Sequence, residues 1–339
     1  MKFSVVFRIA VIILIVQLVS CTKEKKEVKV NKEIESDTIF NSGNPYYAFI
    51  LKSNPDIIKD NELVYFKVED IDLDGKQEAI VALGKLDKED ENNTEINQIF
   101  LLRKDNGIIK KLNTNFNDFT IINEVELVSL KGIKQKFIRL SIIERGSSHG
   151  LVLFELNGDK VKEFLSSTPV GEGSCYLIDK NNDGEYDGYV KFFFFTDAVH
   201  YEVEEAYVLK DKKFKLSQTH VKISDYPKTI EDLLLQYISL RSLEIKSSEI
   251  SERLEQVCID QDALAIKWNV DAWEMGLLEY FDDPDTLKVQ IQDDNTATVT
   301  YIDDNKKTYQ CQFEVAKTAD KWQITKVTIT KNGDEELNK

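Results

Sequence analysis

From about residue 45 to residue 222 the chain is a succession of short apolar runs, each closed by a turn signal. That rhythm restricts what the chain can fold into more than any other feature. "LVYFKV", "EAIVALG", "QIFLLRK", "KFIRLSII", "LVLFEL", "YVKFFFF" and "EEAYVLK" are rich in β-branched and aromatic residues, with turns such as "KDNG" and "LNGD" between them. The pattern predicts a β-rich domain over residues 43–225. Phe192–Phe195 does not alternate, which predicts a strand covered on both faces.

Around "SDYPKTIEDLLLQYISLRSL" the apolar period changes from two to that of a helix. Ile230, Leu233, Leu234, Tyr237, Ile238 and Leu240 gather towards one face. A second helix is expected next, with Ser247 or Ser248 as N-cap, Glu249 and Glu252 in its first turn, and Ile250, Leu254 and Val257 inward. A mixed stretch with Trp268 and Trp273 leads to four strand-like segments, "LKVQIQ", "TATVTYI", "TYQCQFEVA" and "KWQITKVTIT". In the last, Trp322 and Ile324 share one parity and Val327 and Ile329 the other, so a β-bulge is expected. Helices followed by an antiparallel sheet over residues 226–333, ending in "W-x-I", resemble the cone-shaped α+β domains of the NTF2-like family.

Two nine-residue segments carry the chemistry. "DIDLDGKQE" (Asp70 to Glu78) and "DKNNDGEYD" (Asp179 to Asp187) both read D-x-[DN]-x-D-G-x-x-[DE]. Oxygen-bearing side chains at positions one, three and five wrap a hard cation, glycine at six permits the sharp turn, the carbonyl of seven points inward, and an acid at nine closes the shell. The expected calcium ligands are Asp70, Asp72, Asp74, the Lys76 carbonyl and Glu78, then Asp179, Asn181, Asp183, the Glu185 carbonyl and Asp187. Val81 and Val190 stand where an EF-hand needs its last acid, and strands flank both loops instead of helices. This strand–loop–strand setting resembles the FG-GAP/VCBS repeats of propellers, which implies calcium held directly by the position-nine acid. The region has room for about three blades, fewer than a closed propeller needs. The expected fold is therefore mainly β plus α+β: a propeller-like or open β domain with two calcium hairpin loops, then an NTF2-like domain.

The chain begins with Lys2, Arg8 and the apolar run "FRIAVIILIVQLVS", a pattern of a signal peptide over residues 1–20. It ends in "LVSC", which resembles the lipobox of bacterial lipoproteins and implies a lipid on Cys21. A lipidated cysteine bearing more than one acyl chain anchors stably. Residues 21–42 are charged, mixed in sign and poor in aromatics, the composition of a flexible tether. Thr22 is not the aspartate that retains lipoproteins at an inner membrane, which favours the outer membrane if the source is Gram-negative.

The signal contributes two of the 44 basic residues and none of the 60 acidic ones, so the mature chain is more acidic than the net −16 of the whole. Such charge argues against nucleic acid as a partner and invites divalent cations. Besides Cys21 the chain holds Cys175, Cys258 and Cys311, an odd number that excludes full pairing. Cys258 and Cys311 are open to two readings, a bridge or two buried apolar residues.

"GSSHG" matches G-x-S-x-G, and Asp197 with His200 or His220 follows Ser148 in triad order, but a strand follows it where a nucleophile elbow feeds a helix. A polar turn is the better reading. None of the three histidines has zinc spacing, and residues 226–333 contain no histidine at all. The expectation is a non-enzymatic, calcium-stabilised envelope lipoprotein that binds a protein or glycan. An inhibitor or immunity protein against a peptidoglycan hydrolase is the alternative, because some such inhibitors are β-rich lipoproteins with a calcium loop of this kind; an enzyme of unknown reaction ranks third.

Overall fold

A computed structural model describes residues 40–333 apart from 86–93, 120, 145–147, 170, 197–199, 244, 267–268, 270, 274 and 278–285. Cys21, the signal segment and nearly all of the tether lie outside the described residues, as do Trp268 and Asp197. Residues from Phe40 onward form one compact unit.

The chain enters through two short helices, α1 (Pro45–Ser53) and α2 (Pro55–Asp60), so the strands begin at Glu62 and not near residue 45 as the sequence pattern predicts. The reason is local: "NP" occurs twice, and proline at the first helical position has its φ preset and needs no amide partner. The Asn44 side chain accepts hydrogen bonds from the Tyr46 and Tyr47 amides and caps α1.

Thirteen strands follow: β1 (Glu62–Glu69), β2 (Gln77–Lys85), β3 (Glu95–Asp105), β4 (Ile108–Lys111), β5 (Ile121–Leu130), β6 (Lys136–Glu144), β7 (Ser148–Asn157), β8 (Lys160–Ser167), β9 (Gly173–Ile178), β10 (Glu185–Tyr186), β11 (Gly188–Thr196), β12 (His200–Lys210) and β13 (Lys213–Ile223). They make one large sheet ordered β1-β2-β3-β5-β6-β7-β9-β11-β12-β13, with β4 on β3, β8 on β7 and β10 on β5. β1 and β13 remain at opposite ends of that order, so the sheet is open.

Its continuity is narrow at two places. Among the described residues β3 meets β5 only at Ile96 and Ile122, and β7 meets β9 in parallel only at Ser148–Gly173 and His149–Ser174. Three antiparallel groups result, β1–β4, β5–β8, and β9 with β11–β13. Their cores show how they stack. Ile80, Ala82, Ile99 and Leu101 of the first group join Ile138, Leu140, Val152 and Phe154 of the second in one cluster. The first group's other face, Ala79, Val81, Phe100 and Leu102, packs on Tyr46 and Ile50 of α1. The second group's other face, Phe137, Leu151 and Leu153, meets Cys175 and Tyr189 of the third. Apolar burial on both faces explains why β2 is buried from Glu78 to Leu83 without alternation.

β11 follows the expected two-sided cover only in part. Phe193 is buried among Tyr201, Val203, Val221, Leu240 and Ile250, whereas Phe192 and Phe194 lie half-buried on the opposite face, edge to face with ring centroids 4.8 Å apart.

The remainder comprises α3 (Ile230–Ser242), α4 (Ser248–Val257), α5 (Gln261–Ala265) and a second sheet, β14 (Leu287–Asp293), β15 (Thr296–Ile302), β16 (Thr308–Thr318) and β17 (Lys321–Asn332), ordered as a meander. Ser247 caps α4 by accepting from the Ile250 amide. On β17, Lys326 pairs with Glu314 but Ile324 pairs with Val315, so Thr325 is the extra residue of the expected bulge. α3 serves two cores: Leu233, Leu234, Tyr237 and Ile238 pack on the meander, while Leu240 packs on the third group. No helix among the described residues is long and apolar enough to cross a membrane.

Candidate metal centre

The first acidic loop connects β1 to β2, and the second connects β9 to β10 and β11. Their backbones repeat the same design. Leu73 and Gly75 have φ of 61° and 86°, and Asn182 and Gly184, the matching positions, have 57° and 85°. Glycine at position six adopts this left-handed conformation without the strain that a side chain would bring.

Three hydrogen bonds recur at equivalent positions. The position-six amide donates to the position-one carboxylate, Gly75 to Asp70 at 3.0 Å and Gly184 to Asp179 at 2.8 Å. The position-seven amide donates to position five, Lys76 to Asp74 at 2.9 Å and Glu185 to Asp183 at 2.8 Å. The position-two amide donates to the acid at nine, Ile71 to Glu78 at 3.0 Å and Lys180 to Asp187 at 2.9 Å. The two segments are one local structure used twice.

Tertiary packing sets both at the same end of the stacked groups, on either side of the β5–β6 turn. The Lys136 amide donates to the Ile71 carbonyl of the first loop, and the Lys131 amide donates to the Tyr186 carbonyl of the second, each at about 3 Å.

Their environments differ. Glu78 is fully buried, and among the described residues it is the one acidic residue buried as a whole. Burial pushes its pKa up, opposed by the Ile71 amide and by Arg103. Arg103, opposite Glu78 in the β2–β3 register, is itself buried. Its Nε donates to Glu78 Oε1 at 2.7 Å and one terminal nitrogen to Asp72 Oδ2 at 3.0 Å; the other lies 3.3 Å from Asp74 and 3.2 Å from Asp159. Burial works against the guanidinium charge, but Glu78 and Asp72 outweigh it and hold the Arg103 pKa above its usual value. Asp72 Oδ2 also accepts from the Gly158 amide at 2.8 Å, so the β7–β8 turn closes over the loop.

Two oxygens remain over. Asp70 Oδ1 and Asp72 Oδ1 are buried with no hydrogen-bond partner among the described residues. A buried carboxylate oxygen without a partner is costly, and a bound cation removes that cost. Ligand atoms of Asp70, Asp72 and Glu78 lie within 4.8 Å of one another, and this triad can hold a metal ion. The residues of the first loop thus fit a cation. Asp74 stands at the rim, turned to Arg103 and to the Lys76 amide.

The second loop is exposed and its oxygens are taken. Asp179 accepts from the Asp183 and Gly184 amides, and Asn181 donates to Asp183 at 2.7 Å. Lys131 Nζ sits 2.5 Å from Asp187. Lys131, then the Lys180 amide, hold the Asp187 carboxyl below the usual range, and the Glu185 amide does the same for Asp183. Asp179, Asp183 and Asp187 do not form a converging triad of the kind seen in the first loop.

Pattern reading missed Arg103, Lys131, Gly158 and Asp159. Arg103 left a trace, a basic residue inside the apolar run "QIFLLRK"; the other three stand in turns that only the fold brings to the loops.

Ser148 does not sit at a nucleophile elbow. It is buried at the start of β7, and its hydroxyl donates to the Gly171 carbonyl. His220 bonds Glu249 at 3.0 Å and His200 approaches Glu202 at 3.9 Å, both on the surface. No protein-family model and no curated protein sequence matches the chain.

Proposed function

We propose that the chain is a non-enzymatic envelope lipoprotein whose β-rich body is stabilised by calcium and presents a surface for a protein or glycan partner. The observation that carries the calcium reading is the pair of buried, unpartnered oxygens, Asp70 Oδ1 and Asp72 Oδ1, inside a loop whose spacing suits a hard cation. An oxygen-only donor set suits a hard cation such as calcium and not the softer metals that seek thiolate or imidazole. The second loop has the same backbone design and is the weaker site, because its carboxylates already have partners. The three stacked groups suit a propeller-like relative of FG-GAP/VCBS repeats, and helices over a four-stranded meander suit an NTF2-like domain. "LVSC" supports lipid on Cys21, which sets the body outside the cytosol.

The metal's role in this reading is structural: it neutralises carboxylates that repel one another. Asp72→Ala combined with Asn181→Ala, the position-three residues, lowers the melting temperature in EDTA, because Asp72 also holds Arg103 and the Gly158 amide, and removes most of the rise that calcium gives the parent. A variant that keeps the parent's rise between EDTA and calcium, or a parent that shows none, means that the loops are plain turns.

A further inference from the structure

The geometry points to Arg103 and Lys131 as tethered cations that hold the position-nine carboxylates of the two loops and compete with dissolved metal for them. This rests on the calcium reading above and adds what regulates it. In each loop one oxygen of the position-nine acid takes the position-two amide, and the other takes a cationic side chain. Arg103 Nε lies 2.7 Å from Glu78 and Lys131 Nζ lies 2.5 Å from Asp187. Neither cation belongs to the nine-residue motif. Arg103 arrives across the β2–β3 pairing, and Lys131 comes from the β5–β6 turn. Two unrelated routes deliver a positive charge to the same position of the same local structure.

The consequence follows from charge. Asp70, Asp72, Asp74 and Glu78 carry four negative charges in one tight turn, and the guanidinium cancels one of them while bonding three of the four side chains. The loop therefore keeps its shape without metal. A divalent ion entering at Asp70 Oδ1 and Asp72 Oδ1 meets a fixed positive charge a few ångströms away, which weakens its binding. Arg103 is 1% exposed and acts with little screening, whereas Lys131 is 52% exposed and its ammonium pairs with Asp187 in solvent. The first loop feels its tethered cation more.

Calcium titration calorimetry, with melting in calcium and in EDTA, tests this on the full-length protein. The series is the parent, Arg103→Met, Arg103→Lys and Lys131→Met. Arg103→Met is expected to bind calcium about tenfold tighter or more. It should also melt well below the parent in EDTA and recover in calcium. Arg103→Lys keeps the charge and stays near the parent in affinity, while Lys131→Met shifts in the same direction by less. Methionine variants that bind calcium no tighter than a calcium-binding parent overturn the inference and leave the calcium reading standing. A parent that binds none beside variants that bind sinks that reading and supports the tethered cations. Absence of binding throughout sinks both. If Arg103→Met fails to fold in either buffer, Lys131→Met at the exposed pair decides.

Discussion

Cys175, Cys258 and Cys311 are free and buried, each in apolar surroundings. The two readings left open for Cys258 and Cys311 thus resolve to small core residues. Burial pushes the Cys258 thiol up to about 11 and that of Cys311 up to about 12, and it raises Cys175 as well. All three stay protonated and poorly nucleophilic at neutral pH. A disulfide-exchange dye at pH 8 is expected to label none of them in the folded state and all three in denaturant. The linkage sign is that of groups whose folded pKa exceeds the unfolded one: their contribution is full below about pH 9 and fades as pH rises towards 11 and 12. Denaturant midpoints should hold to pH 9 and fall above it. A midpoint that is flat from pH 9 to 11 contradicts the assigned burial.

At the scale of elements, α1 shows how a short polar signal serves a large apolar surface. Its Tyr46 and Ile50 cover the outer face of the first strand group, and Asn44 supplies the cap that starts it. A nine-residue helix has little stability of its own, so tertiary contact and cap must act together. Asn44→Ala should cost about 1 kcal/mol, read from equilibrium unfolding; no change shows that packing alone sets the helix. β17 illustrates the same interplay. Its bulge at Thr325 lets Ile324 and Val327, which differ in parity, both enter the core of the meander.

For the whole molecule the informative element is α3, lodged between the meander and the third strand group. Tyr201 donates to Ser239 at 2.8 Å within this contact, and Leu240 and Ile250 complete the core around Phe193. Ending the chain after residue 225 bares Phe193, Tyr201, Val203 and Val221. Such a fragment is expected to bind a hydrophobic dye and to melt well below the full protein. Equal melting of the two means that the strand groups do not depend on α3. With the helix shared in this way, the intact chain should unfold in one cooperative transition.

The pattern of residues does not reveal α1, α2 or strands such as β5 and β13, but it carries the seven apolar runs that become strands, the change of period near residue 226, the Ser247 cap, the parity break at β17, and the turn geometry shared by both acidic loops. Each depends on residues within a turn or a few strand positions of one another, so order along the chain carries the information. Folding alone brings Arg103 against Glu78, closes Gly158 over Asp72, carries Lys131 to Asp187, and sets both loops at one end of the stack. These contacts join residues from 25 to 86 positions apart. Strand register and sheet stacking set such contacts, and both are chosen by burying two faces of each group at once. The same burial leaves one loop sealed around two oxygens that need a cation and the other open to solvent.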